Sequence, residues 1–134
     1  MDAERAFTRE ARARRVASMV RRLRREPSEC GRLAVYDEGA RRSGLPRVRE
    51  IPLEAIAGTV EPSRANLFDG DFRPRTEARS RWERVWMAEH RGTSLPPISV
   101  VRVGDAYAVR DGHHRVSVAR ARGALTIDAA VEAG

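Results

Sequence analysis

The chain contains no lysine. All 26 of its basic residues are arginine, set against 19 acids, which leaves a formal net charge of +7. A GC-rich coding bias accounts for this usage as readily as a surface built for bidentate phosphate contacts, so the absence alone assigns no function. Cysteine is nearly absent too: Cys30 stands alone, which excludes an internal disulfide and gives no sign of an oxidising compartment. No apolar run approaches the ~20 residues that cross a bilayer, and no signal-peptide pattern opens the chain. A cytoplasmic protein without a membrane span is the expectation. At 134 residues there is room for one domain, or one domain and a tail. The 34% of charged residues make it polar, yet 41% hydrophobic keeps it outside the disordered regime.

What is present is unevenly spread. Residues 1–25 hold nine arginines against Asp2, Glu4 and Glu10, or +6, and the remaining 109 residues hold 17 arginines and 16 acids, or +1. The basicity therefore belongs to an N-terminal arm, here taken as residues 1–27. Ala3, Phe7, Ala11, Met19, Val20 and Leu23 fall near one face of a helix over residues 3–25, and Pro27 with Ser28 stops it. A basic amphipathic helix has three readings: it packs on the body, it binds nucleic acid, or it lies on an anionic partner or membrane. For nucleic acid the candidates are Arg12, Arg14, Arg15, Arg21, Arg22, Arg24 and Arg25.

Residues 28–47, punctuated by Gly31, Gly39, Gly44 and Pro46, read as an irregular linker. The body is placed at residues 48–134. Val48–Ile51 alternates as a short strand, and Pro52 with Leu53 and Ile56 marks a turn. Residues 57–75 read as a long loop bearing Arg64, Arg73 and Arg75, of a length that suggests a functional lid. A helix is expected from Thr76, as cap, to about His90, with Trp82 and Trp86 in the core and Gly92 ending it. Ile98–Val103 and Ala106–Arg110 then form a hairpin about Gly104-Asp105, followed by a helix over 113–122 and a last strand with Ile127, Ala129 and Val131 inward. The fold class is α+β: a small mixed sheet with flanking helices, preceded by the arginine-rich helix.

The sharpest local feature is Asp111-Gly112-His113-His114-Arg115, where a strand hands over to a helix. The first amides of a helix lack partners within it and carry partial positive charge, which suits an anion. Gly112 permits a positive φ or a close ligand approach. Arg115 offers a planar donor fork, His113 and His114 offer further donors that titrate near neutrality, and Asp111 caps the helix or holds magnesium on a polyphosphate.

Leu95-Pro96-Pro97-Ile98-Ser99-Val100, then Ala106 to Arg115, then Thr126-Ile127-Asp128-Ala129 resemble the ParB/sulfiredoxin superfamily. The shared pattern is an apolar strand, a hairpin, a Gly-x-x-Arg helix start and a closing strand. It covers about residues 48–132, and Arg73-Pro74-Arg75 stands roughly where ParB proteins carry Gln-Pro-Arg. The resemblance implies that Gly112, His113, His114 and Arg115, with Arg73 and Arg75 in support, cradle the triphosphate of CTP with magnesium, and that the ligand is coupled to DNA. It also implies departures. No helix-turn-helix pattern follows the module, and the reactive cysteine of sulfiredoxins is replaced by His113, which argues against sulfinic acid repair. The Asp111-Gly112-His113 and Arg115 pattern is similar to free-serine kinases as well, with ATP or ADP as ligand.

The reading that follows is a nucleotide-binding module that couples a phosphate ligand to DNA or a protein partner, with a homodimer conceivable by analogy. The alternative is a small phosphotransferase or nucleotide hydrolase on the same cradle. For that chemistry the candidate groups are Glu54, Asp111 and His113, beside Glu50 and Asp69 as further carboxylates.

Overall fold

Six strands make one mixed sheet in the order β1-β3-β5-β4-β6-β2. In this computed structural model, residues 2–26, 31–37 and 43–133 are described. Helix α1 spans Ala3–Leu23, α2 Arg79–His90 and α3 His113–Ala121; the strands are β1 Ala34–Val35, β2 Ser43–Pro52, β3 Ile56–Thr59, β4 Ile98–Val103, β5 Ala106–Asp111 and β6 Thr126–Ala133. The β4–β5 and β2–β6 pairs are antiparallel, and β1–β3, β3–β5 and β4–β6 are parallel. The expected α+β class, with a mixed sheet, flanking helices and a leading helix, is what the chain forms. Among the described residues no helix is long and apolar enough to cross a membrane.

Alternation along the strands sorts the two faces. Ile98 and Val100 of β4, Val109 of β5 and Ala129 and Val131 of β6 join the large core beneath the helices, together with Trp82, Trp86, Val116 and Val118. Val101 and Ala108 turn to the other face and cluster with Val60, against Tyr36 and Val103. Both tryptophans are core residues, as expected. Trp82 is fully buried and donates its indole N–H to Ser117 Oγ at 2.8 Å, while the Ser117 hydroxyl donates to the Phe72 carbonyl.

Three stretches differ from the sequence-based expectation. Residues 34–35 and 43–47, read as linker, are strand: β2 starts at Ser43 and pairs along β6. Beside them, Gly58 is required because a Cβ there would lie 2.2 Å from the Ala34 carbonyl, so the close parallel approach of β1 and β3 excludes any side chain. Residues 57–75 are not a loop. After β3 comes a 3-10 helix over Pro62–Leu67, then a tight turn closed by a Phe68–Pro74 bridge. The turn is held by Asp69, whose buried carboxylate accepts from the Asp71 and Arg73 amides at 2.9 and 2.8 Å and from the Arg73 guanidinium at 3.3 Å. Periodicity could not show this, because one aspartate organises it and not a hydrophobic pattern. Finally, Thr76 does not cap: it lies inside a short 3-10 turn, Thr76–Ala78, that leads into α2 without a side-chain cap. Pro27, Ser28 and Cys30, and most of the 37–42 segment, lie outside the described residues.

The arm is a helix, and its two halves behave differently. Asp2 caps its start by accepting from the Arg5 amide at 2.9 Å. Ala3, Ala6, Phe7 and Ala11 are buried, and α1 packs on α2. Phe7 meets Trp82 edge to face at 5.7 Å and lies under the Arg79 guanidinium at 5.0 Å. The second half leaves Val16, Met19, Val20 and Leu23 exposed. Phe7→Ala is therefore expected to cost about 3–4 kcal/mol in denaturant unfolding, whereas Leu23→Ala changes stability by less than about 0.5 kcal/mol. Equal effects at the two positions would show that α1 packs otherwise.

Candidate functional site

Strand β5 ends at Asp111, and Gly112 turns the chain into α3 with φ at +106°. That angle alone favours glycine, and a Cβ would also meet Ile98 at 2.5 Å. The close approach that Gly112 permits is therefore the packing of β4 beneath it. Gly112, not Asp111, is the N-cap, and no side chain caps the first turn of α3. The orphan amides that the sequence suggested are there.

In front of them lies a cavity of about 430 Å³. Asp111, Gly112, His113, His114 and Arg115 form one side, Arg81, Arg84, Val85 and Ala88 of α2 another, and Arg64, Leu95 and Pro96 complete it. Four arginines from three elements thus converge there, beside Asp111 as the one carboxylate of the lining. Arg64, Arg81 and Arg84 form no ion pair with any described residue, and the last two are exposed.

Arg115 is placed differently from expectation. Its side chain is only 15% exposed, and its NH1 donates to the Pro96 and Pro97 carbonyls while NH2 reaches Asp111 at 3.4 Å. The donor fork thus fastens the Leu95–Pro97 segment to α3 and shapes the cavity wall. Asp111 is 81% exposed at the rim. Among the described residues no group of three or more histidine, cysteine or carboxylate side chains could hold a metal ion. Asp111 is the one carboxylate of the lining that would offer an oxygen to a magnesium ion.

The histidines correct a second expectation: neither titrates near neutrality. Burial pushes His113 down to about 4, with Arg64 and His114 adding to the shift. His114 is also lowered to about 4, by burial first and then by Arg81, Arg64 and Arg84. His113 Nε2 lies 2.7 Å from Thr59 Oγ1, and that hydroxyl donates to the Val109 carbonyl at 3.0 Å and accepts from the Glu61 amide at 2.9 Å. With the hydroxyl proton on Val109, Nε2 carries the hydrogen that faces Thr59, and burial keeps the imidazole neutral. Phe68 stacks on His113 at 6.5 Å and meets His114 edge to face at 5.2 Å. His113 is thus a core residue tying α3 to β3, and His114 a neutral surface of the cavity.

The remaining candidates lie elsewhere. Arg73 is paired with Asp69 and Asp71 at 3.3 and 3.1 Å, and Arg75 donates to the Gly31 carbonyl; neither lines the cavity. Glu54 is exposed in the 3-10 turn Leu53–Ala55, also outside the lining. On the arm, Arg14 donates to the Pro74 carbonyl at 3.2 Å and is lowered by burial and by Arg75 and Arg15, so it is a structural residue. Arg12, Arg15, Arg22, Arg24 and Arg25 are exposed, and Arg21 is half-buried. Sequence reasoning missed Arg81 and Arg84, and took Arg64 only as a loop residue. The signal was the i, i+3, i+4, i+7 spacing of Arg81, Arg84, Val85 and Ala88, a second face beside the tryptophans.

No protein-family model matches this chain, and no curated protein matches it. Among solved structures, the chain is similar to the crystal structure of sulfiredoxin from Arabidopsis thaliana, over 66% of this chain and 88% of that one, at 22% identity and a TM-score of 0.49. Likeness at that level concerns the path of the chain and says nothing about chemistry.

Because both histidine values fall from 6.5 to about 4, the unfolded chain binds more protons than the native one between those limits. Stability is expected to be complete above pH 6.5 and to decline as pH falls toward 4, by about 2–3 kcal/mol for each histidine. Denaturant melts across that range measure it, and His114→Gln is expected to remove roughly half of the slope. A flat profile in the wild type would contradict the burial.

Proposed function

We propose that the chain binds a phosphate-bearing small ligand of the nucleotide class in the cavity at the start of α3, as a binding module. One observation carries this reading: three unpaired arginines, Arg64, Arg81 and Arg84, line the same cavity as the uncapped amides of α3. Cation, guanidinium fork and helix N-terminus all favour an anion with several oxygens. The volume lies within the range of small-ligand sites, and Val85, Ala88, Leu95 and Pro96 supply an apolar wall for a part of the ligand that is not phosphate. CTP and ATP or ADP, with magnesium on the phosphates, are the members of the class to test first.

The groups present support binding better than turnover. Burial lowers His113 to about 4 and its Nε2 is engaged with Thr59, so it is a poor base, and Glu54 is remote. A phosphotransferase or hydrolase would have to rely on Asp111, which stands at the rim beside Arg115. Coupling to a partner has a route through α2, which carries Arg81 and Arg84 toward the cavity and Trp82 against Phe7 of the arm.

Melting temperatures against a panel of nucleotides, with and without magnesium, test the proposal. A ligand at a hundred times its Kd adds about 2.7 kcal/mol, or roughly 10 °C for a domain of this size. Arg81→Ala and Arg84→Ala are each expected to weaken binding about tenfold or more. Arg115→Ala should also lower the melting temperature without ligand, because it releases Pro96 and Pro97. No shift with any phosphate ligand, or shifts untouched at Arg81 and Arg84, would refute the site. Magnesium-dependent turnover lost in Asp111→Asn would favour the enzyme instead.

A further inference from the structure

The second half of α1 carries a surface that the cavity at α3 does not use. Val16, Met19, Val20 and Leu23 recur at three- and four-residue spacing and are all exposed, Leu23 to 81%. They are four of the eight large exposed hydrophobics among the described residues, gathered on about two turns of one helix. Val16 and Val20, but not Met19 and Leu23, line a groove together with Ala13 and Ala17 of α1 and with Gly70, Asp71 and Arg73 of the 68–74 turn. Arg9 and Arg12 bracket one end and Arg21 and Arg24 the other. The acids there are Glu26 and Asp71, and Asp71 is already paired with Arg73 at 3.1 Å.

We propose that this groove docks an acidic amphipathic helix of a partner protein. The length fits: from Arg9 to Arg24 is about 22 Å, four turns of helix. The alanines let a partner backbone approach, the valines take its apolar stripe, and Arg12 at one end with Arg21 and Arg24 at the other meet carboxylates on its flanks, Arg9 being engaged by the Ala121 carbonyl. A second copy of this chain fails on charge, since its own α1 would set arginine against arginine. Duplex DNA uses the arginines but leaves Val16 and Val20 of the groove without an apolar partner. An anionic lipid surface would set its headgroups against Glu26 and Asp71. The inference is independent of the nucleotide site, because no residue of the groove lines the cavity.

Fluorescence anisotropy on the full chain tests it with four probes. They are a synthetic amphipathic helix of about 15 residues built from leucine, glutamate and glutamine, its scrambled isomer, a short DNA duplex, and vesicles of phosphatidylglycerol and phosphatidylcholine. The amphipathic peptide is expected to bind about tenfold or more tightly than the scrambled one. Val16→Ser combined with Val20→Ser should reduce it to the scrambled level with the melting temperature unchanged, since both side chains are exposed. Arg12→Gln with Arg24→Gln should weaken binding and flatten its salt dependence. Arg84→Ala, which bears on the cavity, should leave docking intact. Equal binding of the two peptides, insensitivity to the serine pair, or tighter binding of DNA or vesicles than of the peptide would each overturn the proposal.

Discussion

A buried hydroxyl, Ser117 Oγ, joins three pieces of chain at one point. It accepts from the Trp82 indole of α2 at 2.8 Å and donates to the Phe72 carbonyl of the 68–74 turn, while its own backbone belongs to α3. Its satisfied polar atoms lie in an otherwise apolar core, where an unmade hydrogen bond would cost about 1–3 kcal/mol. The tie sets the rotation of α2 about its axis. With Trp82 turned inward, Arg81, Arg84, Val85 and Ala88 are carried onto the cavity. With the same indole presented edge-on, Phe7 finds its seat and α1 its place. It also holds Phe72, whose φ of +62° is unfavourable for an aromatic residue, in the turn that Asp69 organises.

Charge in the cavity is arranged by exclusion. Neutral imidazoles form its inner surface because burial and the neighbouring guanidinium groups disfavour protonation. The Arg115 guanidinium is fixed on the Pro96 and Pro97 carbonyls and on Asp111. Positive charge is thereby left to Arg64 of the 3-10 helix and to Arg81 and Arg84 of α2. Like charges brought together without a counterion destabilise the folded state, and an anion among them would reverse the sign of that term.

The order of elements from Ile98 onward was legible because it is written in local signals: an apolar run, Gly104-Asp105, and Gly112 and Gly123 at the ends of α3. The handover at Gly112 was legible for the same reason. What was not legible depends on contacts between distant parts of the chain. Gly58 permits the approach of β1, but nothing near it in sequence names Ala34 as the neighbour. Arg73 and Arg75 look like ligand residues until Asp69 and Gly31 are seen to hold them. The Pro96 carbonyl claims Arg115 across a separation of 19 residues. Arginine is the common thread. In a chain with no other cation, composition cannot separate a guanidinium that braces the fold from one that faces a ligand; only its partners do.

That distinction also divides the arm. Arg9 and Arg14 reach the Ala121 and Pro74 carbonyls and hold α1 to the body, whereas Arg12, Arg15, Arg22, Arg24 and Arg25 are left to solvent. The buried face that accompanies the bracing arginines is small: one phenylalanine and three alanines. Burial of that size seats the first half of α1, and the bond from Arg14 to the Pro74 carbonyl continues the attachment just past its midpoint. A ligand bound at Arg81 and Arg84 influences α1 only to the extent that it binds one position of α2 better than another. Because Trp82 lies beside Arg81 in sequence and against Phe7 in space, a shift of α2 toward the cavity changes the seat of Phe7 directly, with no longer path required.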